Sequence, residues 1–337
     1  MKAVVYDKYG PPEVVRAADV AKPVPRDGEV LIRVHAAAVN PLDCMTLGKP
    51  YTLRLMTGLL RPRTTRLGVD VAGVVEAAGR GVTRFRPGDR VFGFCVRDPL
   101  ARGAAAWACQ GSLAEYACAP EPALAAVPGN VTFEQAAAVP VAAVTALQGL
   151  RDKGRVRAGQ KVLVNGAAGG VGTCAVQIAR ALGAEVTGVC SARNAGLVRS
   201  IGADRVIDYA REDFTEDRDT YDVVFDLVSN RPLGACRRVL KPGGTYIAAG
   251  GQGSRWFLGL IARPVMMLAL SRFTSQKLVV YLARPDQEDL AAIAGLMAAG
   301  KLAPVIGRRY GLNEASDALR YLQQKHAQGK VVVDLGK

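Results

Sequence analysis

Residues 161–194, KVLVNGAAGGVGTCAVQIARALGAEVTGVCSARN, constrain the fold of this chain more than any other stretch. A short apolar run enters a glycine-rich turn. A segment follows that carries Val171, Ala175, Ile178, Ala179 and Leu182 on one helical face, and then a second apolar run. Strand, turn and helix in that order leave the first N–H groups of the helix without intrahelical partners. Those groups and the positive end of the helix dipole then converge on one point, which suits a phosphate. Gly169, Gly170 and Gly172 fit this purpose, because glycine lets the backbone approach a pyrophosphate and lets helix and strand pack closely. Gly169 and Gly170 are therefore candidate cofactor contacts.

Two residues depart from the usual dinucleotide fingerprint. Ala167 stands where the first glycine is expected, and is tolerated if its backbone stays in a conformation open to a β-carbon. Ser191 stands about twenty residues on, where an acid would bind the ribose hydroxyls and repel a 2′-phosphate. A hydroxyl at 191 with a guanidinium at Arg193 repels nothing anionic, so the expected cofactor is NADPH. The alternative is that Arg193 reaches into water and Ser191 admits either cofactor.

Around this unit the chain changes rhythm. KAVVY, EVLIRVHAAAV, VDVAGVVEAAG and DRVFGF are β-rich runs separated by turn residues, so residues 1 to about 122 read as an all-β module. Thr132 and Gln135 form a capping-box pattern at the head of an alanine-rich helical stretch. Beyond it, KVLVNG, AEVTGVC, RVIDY, YDVVFDLV and GTYIAAGG alternate with helical segments, as in a doubly wound parallel sheet. Gly250, in the glycine pair that ends the last of these runs, is a further expected cofactor contact. The tail, with helices around 287–301 and 313–326 and a strand KVVVDL, is too short for a separate large domain and is expected to complete the first one. The fold class is thus α/β, with a β-rich domain at 1–125 completed by 271–337 and a nucleotide-binding domain at 126–270.

Composition removes other classes. Half the residues are apolar, which suits a folded chain. The net charge of +14 is spread along the sequence, and the densest group, RPRTTR at 61–66, lacks interleaved aromatics, so no nucleic-acid partner is expected. The apolar stretch WFLGLIARPVMMLAL at 256–270 is broken by Arg263 and Pro264 and is too short to span a bilayer, so it is expected at a subunit or substrate surface. Seven cysteines without a CxxC and no leader peptide point to free thiols in a reducing, cytoplasmic setting.

The chain resembles the medium-chain dehydrogenase/reductase superfamily in its zinc-independent quinone oxidoreductase branch. MKAVVYDKYGPPEVV, VNPLD at 39–43, RFRPGDRVFG at 84–93, SLAEYA at 112–117, NGAAGGVGT at 165–173, GADRVIDY at 202–209 and HAQGKVVV at 326–333 carry the likeness in order along essentially the whole chain. The resemblance implies a GroES-like catalytic domain, a central Rossmann domain, a cofactor cleft between them and a homodimer. It also implies cofactor contacts at Ala168, Gly170, Val171, Ser191, Tyr209 and His326, and it puts the segment Asn40 to Tyr51 beside the nicotinamide. Asn40 is then a candidate for a ribose or substrate oxygen, and Asp43 and Tyr51 are candidate catalytic residues. Thr145 is a candidate on the nicotinamide side. The bland readings are that Asn-Pro opens a turn, that Asp43 caps a short helix, that Tyr51 packs and that Thr145 bonds back along its helix.

Zinc-dependent relatives use an early cysteine and a His-Glu pair. Here Cys44 is present, but Val69 and Asp70 occupy the pair's place, and the only histidines are His35 and His326, so no metal is expected. Without a Lewis acid, a quinone or α,β-unsaturated carbonyl is a more natural hydride acceptor than a simple ketone. Two alternatives stay open: a metal-independent alcohol or carbonyl dehydrogenase, and an NADPH-binding redox sensor with vestigial activity.

Overall fold

The computed structural model describes residues 1–48, 60–62, 65–99, 111–249, 266–267, 270–271, 274–324 and 327–336. Strands β1 (Lys2–Val5) and β2 (Arg16–Asp19) pair antiparallel. The long β3 (Glu29–Val39) is followed by helix α1 (Pro41–Leu47), then β4 (Asp70–Ala78), β5 (Arg90–Phe94), β6 (Tyr116–Pro120) and β7 (Leu124–Ala126). β3 pairs antiparallel with both β4 and β6, β4 with β5, and β5 with β7.

The alanine-rich stretch expected as one helix is divided. Helix α2 (Phe133–Ala137) begins with the expected capping box, Thr132 Oγ1 accepting from Gln135 N at 3.2 Å and Gln135 Oε1 accepting from Thr132 N at 3.0 Å. Pro140 has no N–H to continue that helix and instead opens α3 (Pro140–Leu147).

A six-stranded, all-parallel sheet follows, built from β8 (Lys161–Asn165), β9 (Glu185–Cys190), β10 (Arg205–Asp208), β11 (Tyr221–Asp226), β12 (Leu240–Ala248) and β13 (Lys277–Val280). Helix α4 (Gly170–Ala181) joins β8 to β9, α5 (Ala195–Ser200) joins β9 to β10, and α6 (Leu233–Arg238) lies between β11 and β12. The strand order β10-β9-β8-β11-β12-β13 is that of a dinucleotide-binding sheet, with its reversal of direction between β8 and β11. Val162, Leu163 and Val164 are fully buried, as expected of a strand covered on both faces.

The tail contributes α7 (Gln287–Ala298), β14 (Ile306–Gly311), α8 (Ala315–Gln323) and β15 (Lys330–Asp334). β15 pairs antiparallel with β3 and parallel with β14, which completes the seven-stranded sheet of the first unit. Ala315, Ala318 and Leu319 of α8 and Val331 and Val333 of β15 share one core with Val30, Ile32, Val34, Val71 and Val75.

The chain divides into two compact units, Met1–Val144 with Arg284–Lys337, and Thr145–Ala283. The expected boundaries at 125/126 and 270/271 both lie elsewhere, for identifiable reasons. Helix α2 packs on β3, β4 and β5, and Val141 N donates to Asp70 at 2.9 Å, so residues 126–144 go with the first unit. β13 pairs with β12, so residues up to 283 go with the second. Of the apolar stretch 256–270, only Met266, Met267 and Leu270 are among the described residues, and Met267 is buried in the core of the parallel sheet.

If the tail is integral to the first unit, Leu319→Ala lowers the stability of the full chain by about 2–5 kcal/mol, because it empties a fully buried site. Urea unfolding measures this, and a loss below about 1 kcal/mol would mean that α8 is only loosely attached.

Candidate functional site

The glycine turn is built from the end of β8. Gly166 takes φ +91°, a left-handed conformation that suits glycine, while Ala167 is not among the residues with positive φ. The turn's left-handed position is therefore Gly166, and alanine fits at 167 without backbone strain. N–H groups of Gly166 and Ala167 donate to Val189 O at 3.1 and 3.0 Å, and Gly169 N donates to Gly166 O at 3.1 Å. Gly169 caps α4 with an extended backbone, and the first bond within the helix runs from Thr173 N to Gly169 O at 2.9 Å. The N–H groups of Gly170, Val171 and Gly172 precede that bond and point out of the helix start, where an anion is favoured. A β-carbon on Gly172 would lie 2.0 Å from Gly166 O, so only glycine allows helix and strand to meet this closely.

The adjoining strand ends complete this edge. Cys190 and Asp208 are paired in register, so Ser191 and Tyr209 leave neighbouring strands side by side, and Tyr209 N donates to Cys190 O at 3.1 Å. Ser191 starts a short 3-10 turn, Ala192–Asn194, and its hydroxyl accepts from Asn194 Nδ2 at 3.2 Å. Arg193 is exposed and Tyr209 is 49% exposed. The sheet thus gathers Ala168–Val171, Ser191, Arg193 and Tyr209 at the carboxyl ends of β8, β9 and β10. Asn194 is a residue that sequence reasoning misses; its one signal there is an amide three residues after Ser191, the spacing of a side-chain turn. Thr145 lies half-buried in α3, and its carbonyl accepts from the Tyr281 hydroxyl. Tyr51, Gly250 and His326 lie outside the described residues.

In the first unit, the candidates Asn40 and Asp43 serve an internal network. Both are buried, at 2% and 1% exposure. Asn40 precedes Pro41 at the head of α1, and Asp43, three residues on, accepts from Asn40 N at 2.7 Å and from Gly68 N at 2.9 Å. The Asn40 amide donates to Asp70 Oδ2 at 3.0 Å and accepts from Lys330 Nζ at 2.6 Å. Lys330, itself buried, also pairs with Asp70 Oδ2 at 2.9 Å, and Asp70 Oδ1 accepts from Val141 N. Asn40 and Asp43 thus cap and cross-link within the unit, with their polar atoms turned into the protein. Burial pushes the Asp43 carboxyl up to about 6, against the two N–H donors and Lys330, which pull it down. His35 stacks on Phe133 at 4.4 Å between ring centroids, a packing role.

Comparison with known proteins agrees with this architecture. Residues 26–129 match the alcohol dehydrogenase GroES-like domain, and residues 201–333 match the zinc-binding dehydrogenase family. The chain is 32% identical to human quinone oxidoreductase over 328 residues, covering 94% of this chain and 92% of that protein. It is 34% identical to the chloroplastic NADPH-dependent alkenal/one oxidoreductase of Arabidopsis thaliana, covering 99% of this chain and 79% of that protein. The solved structure of the quinone oxidoreductase from Coxiella burnetii superposes with a TM-score of 0.84 at 30% identity, over 99% of both chains. A GroES-like unit and a parallel sheet with a glycine turn at its carboxyl edge define a nucleotide-binding dehydrogenase or reductase fold. Within that class the chain belongs to the quinone oxidoreductase branch of the medium-chain dehydrogenase/reductase superfamily.

The matched description raises the question of zinc. A catalytic zinc takes thiolate, imidazole or carboxylate ligands. Val69 offers no donor, and both carboxylate oxygens of Asp70 are already engaged, one of them by an ammonium. The Cys44 thiol is pushed up to about 12 by burial and donates to Leu319 O at 3.7 Å. This donor set does not fit a zinc ion.

The raised Asp43 value has a sign in stability. The folded state favours the neutral acid, so this contribution is fully present below the ordinary value of 3.8 and is lost as the pH rises through about 6. Between pH 4 and 7 the stability of the natural protein should fall relative to Asp43→Asn by up to about 3 kcal/mol. Denaturant unfolding of both proteins across that range measures the gap, and a gap independent of pH would mean that Asp43 titrates at its ordinary value.

Proposed function

We propose that this protein is an NADPH-dependent, zinc-independent reductase that delivers hydride to a quinone or an α,β-unsaturated carbonyl. The observation that carries the reading is the carboxyl edge of the parallel sheet, where a cradle open to phosphate adjoins a strand end bearing Ser191 and Arg193 in place of an acid. The Arabidopsis relative, named as NADPH-dependent and acting on alkenals and enones, supports both halves of it, and the quinone oxidoreductases support the acceptor class.

In this reading the N–H groups of Gly170 and Val171 hold the pyrophosphate, with Ala168 and Gly169 shaping the turn. Ser191 donates to the 2′-phosphate while Asn194 orients its hydroxyl, and Arg193 adds positive charge. Tyr209 presents its exposed ring on the same edge, and Thr145, Gly250 and His326 are assigned further along the cofactor. When bound, the dihydronicotinamide supplies the hydride, which a conjugated acceptor takes while charge spreads onto its carbonyl oxygen. The chain's contribution is to orient the reactants and exclude water.

A homodimer is part of the proposal; Val280 at the end of the edge strand β13 and Leu282 just beyond it, 45% and 60% exposed, suit a second copy. Free buried thiols such as Cys118 and Cys190 suit a reducing cytoplasm. Among the described residues no helix is long and apolar enough to cross a membrane.

Mixing the protein with NADPH and a panel of quinones and enones is expected to bleach the reduced-nicotinamide absorbance. Turnover confined to simple aldehydes or alcohols would favour a carbonyl dehydrogenase, and tight NADPH binding without turnover on any substrate would favour a redox sensor. Ser191→Asp should lower the preference for NADPH over NADH at least about tenfold, near 1.4 kcal/mol, through repulsion of the 2′-phosphate. The ratio of the two dissociation constants checks this, and an unchanged ratio would refute the assignment.

A further inference from the structure

A buried carboxylate at the other side of the glycine turn has no role in the reading above. Asp226 closes β11, is 0% exposed, and is paired in register with Asn165, the last residue of β8. Its Oδ1 accepts from Asn165 Nδ2 at 2.9 Å, Val228 N at 3.0 Å and Ser229 N at 2.8 Å. Its Oδ2 accepts from the Tyr246 hydroxyl of β12 at 2.5 Å. One carboxylate thereby joins three adjacent strands, β8, β11 and β12. It also folds residues 227–229 back over itself in a side-chain turn, within which Ser229 takes φ +57°.

This turn abuts the phosphate cradle. Leu227 N donates to Asn165 O at 3.1 Å, and Asn165 Nδ2 also reaches Asn230 Oδ1 at 3.2 Å. A β-carbon on Gly166 would lie 2.9 Å from Val228 Cγ2, so Val228 packs directly on the residue that starts the glycine turn. β8 and β11 are the strands between which the sheet reverses direction, and in such sheets ligands sit outside the carboxyl ends at that point.

We propose that Asp226 is a positioning residue for the dinucleotide site, its carboxylate holding the 227–230 turn against Gly166 so that the cradle is formed before the cofactor arrives. The proposal rests on the NADPH reading given above. A carboxylate suits the task because it accepts at both oxygens. An amide of the same size keeps its oxygen on the three donors and its NH2 on the Tyr246 hydroxyl, which turns to accept it, so neutral hydrogen bonds replace charge-assisted ones and hold the turn more weakly.

The test uses Asp226→Asn and Tyr246→Phe in the full chain, with NADPH binding followed by nucleotide fluorescence and folding by circular dichroism. The dissociation constant for NADPH should rise at least tenfold in Asp226→Asn and about threefold in Tyr246→Phe. The NADPH to NADH preference should hold, because Ser191 and Arg193 lie at a different strand end. Folded variants that bind NADPH within twofold of the natural protein would overturn the proposal and leave Asp226 as a staple of the sheet. If Asp226→Asn does not fold, Tyr246→Phe decides by the same twofold limit. Failure of the natural protein itself to bind NADPH would instead overturn the function reading, and this proposal with it.

Discussion

The 2.0 Å that would separate Gly166 O from a β-carbon at residue 172 is the constraint on which the second unit depends. No side chain fits there, and because none is present the first turn of α4 sits directly on the end of β8. That approach aims three N–H groups outward and lets Ala167 fill the space beside Gly188, where a β-carbon would lie 3.0 Å from the Ala167 methyl. The substituted position is therefore one where a methyl group helps packing. Glycine is retained where backbone meets backbone and relaxed where side chain meets side chain.

Much of this is legible in the sequence. The phosphate turn, the helix cap at Thr132 and most strands follow from local pattern, because a strand buried on both faces and a capped helix are each recorded in a few neighbouring residues. The short strands β2, β6, β7 and β13 are not. LAA and KLVV are too brief to show a period, and β13 exists because β12 offers it an edge. The unit boundaries escape local pattern for the same reason: which strand or helix covers which sheet is a property of pairing.

The catalytic candidates show the limit more sharply. Asn40 and Asp43 carry polar groups in a segment that the resemblance places near the chemistry; Asp43 braces the helix start, and the Asn40 amide bonds across to Asp70 and Lys330. The Asn40 amide is held by Lys330, about 290 residues further along the chain, whose ammonium lies between Asn40 and Asp70. A buried cation paired with a distant carboxylate leaves no local signature in sequence. Asp226 is similar, since its partners Asn165 and Tyr246 come from separate strands.

The first unit is closed by β15, whereas every strand of the parallel sheet lies between residues 161 and 280. On the ribosome the central sheet can therefore assemble while the earlier β-rich segment still lacks the strand that covers part of β3 and the ammonium that neutralises Asp70. Until β15 is made, the part of β3 that it covers lacks that partner strand and Asp70 lacks its ammonium. Strand β15 is thus the piece that completes the first unit.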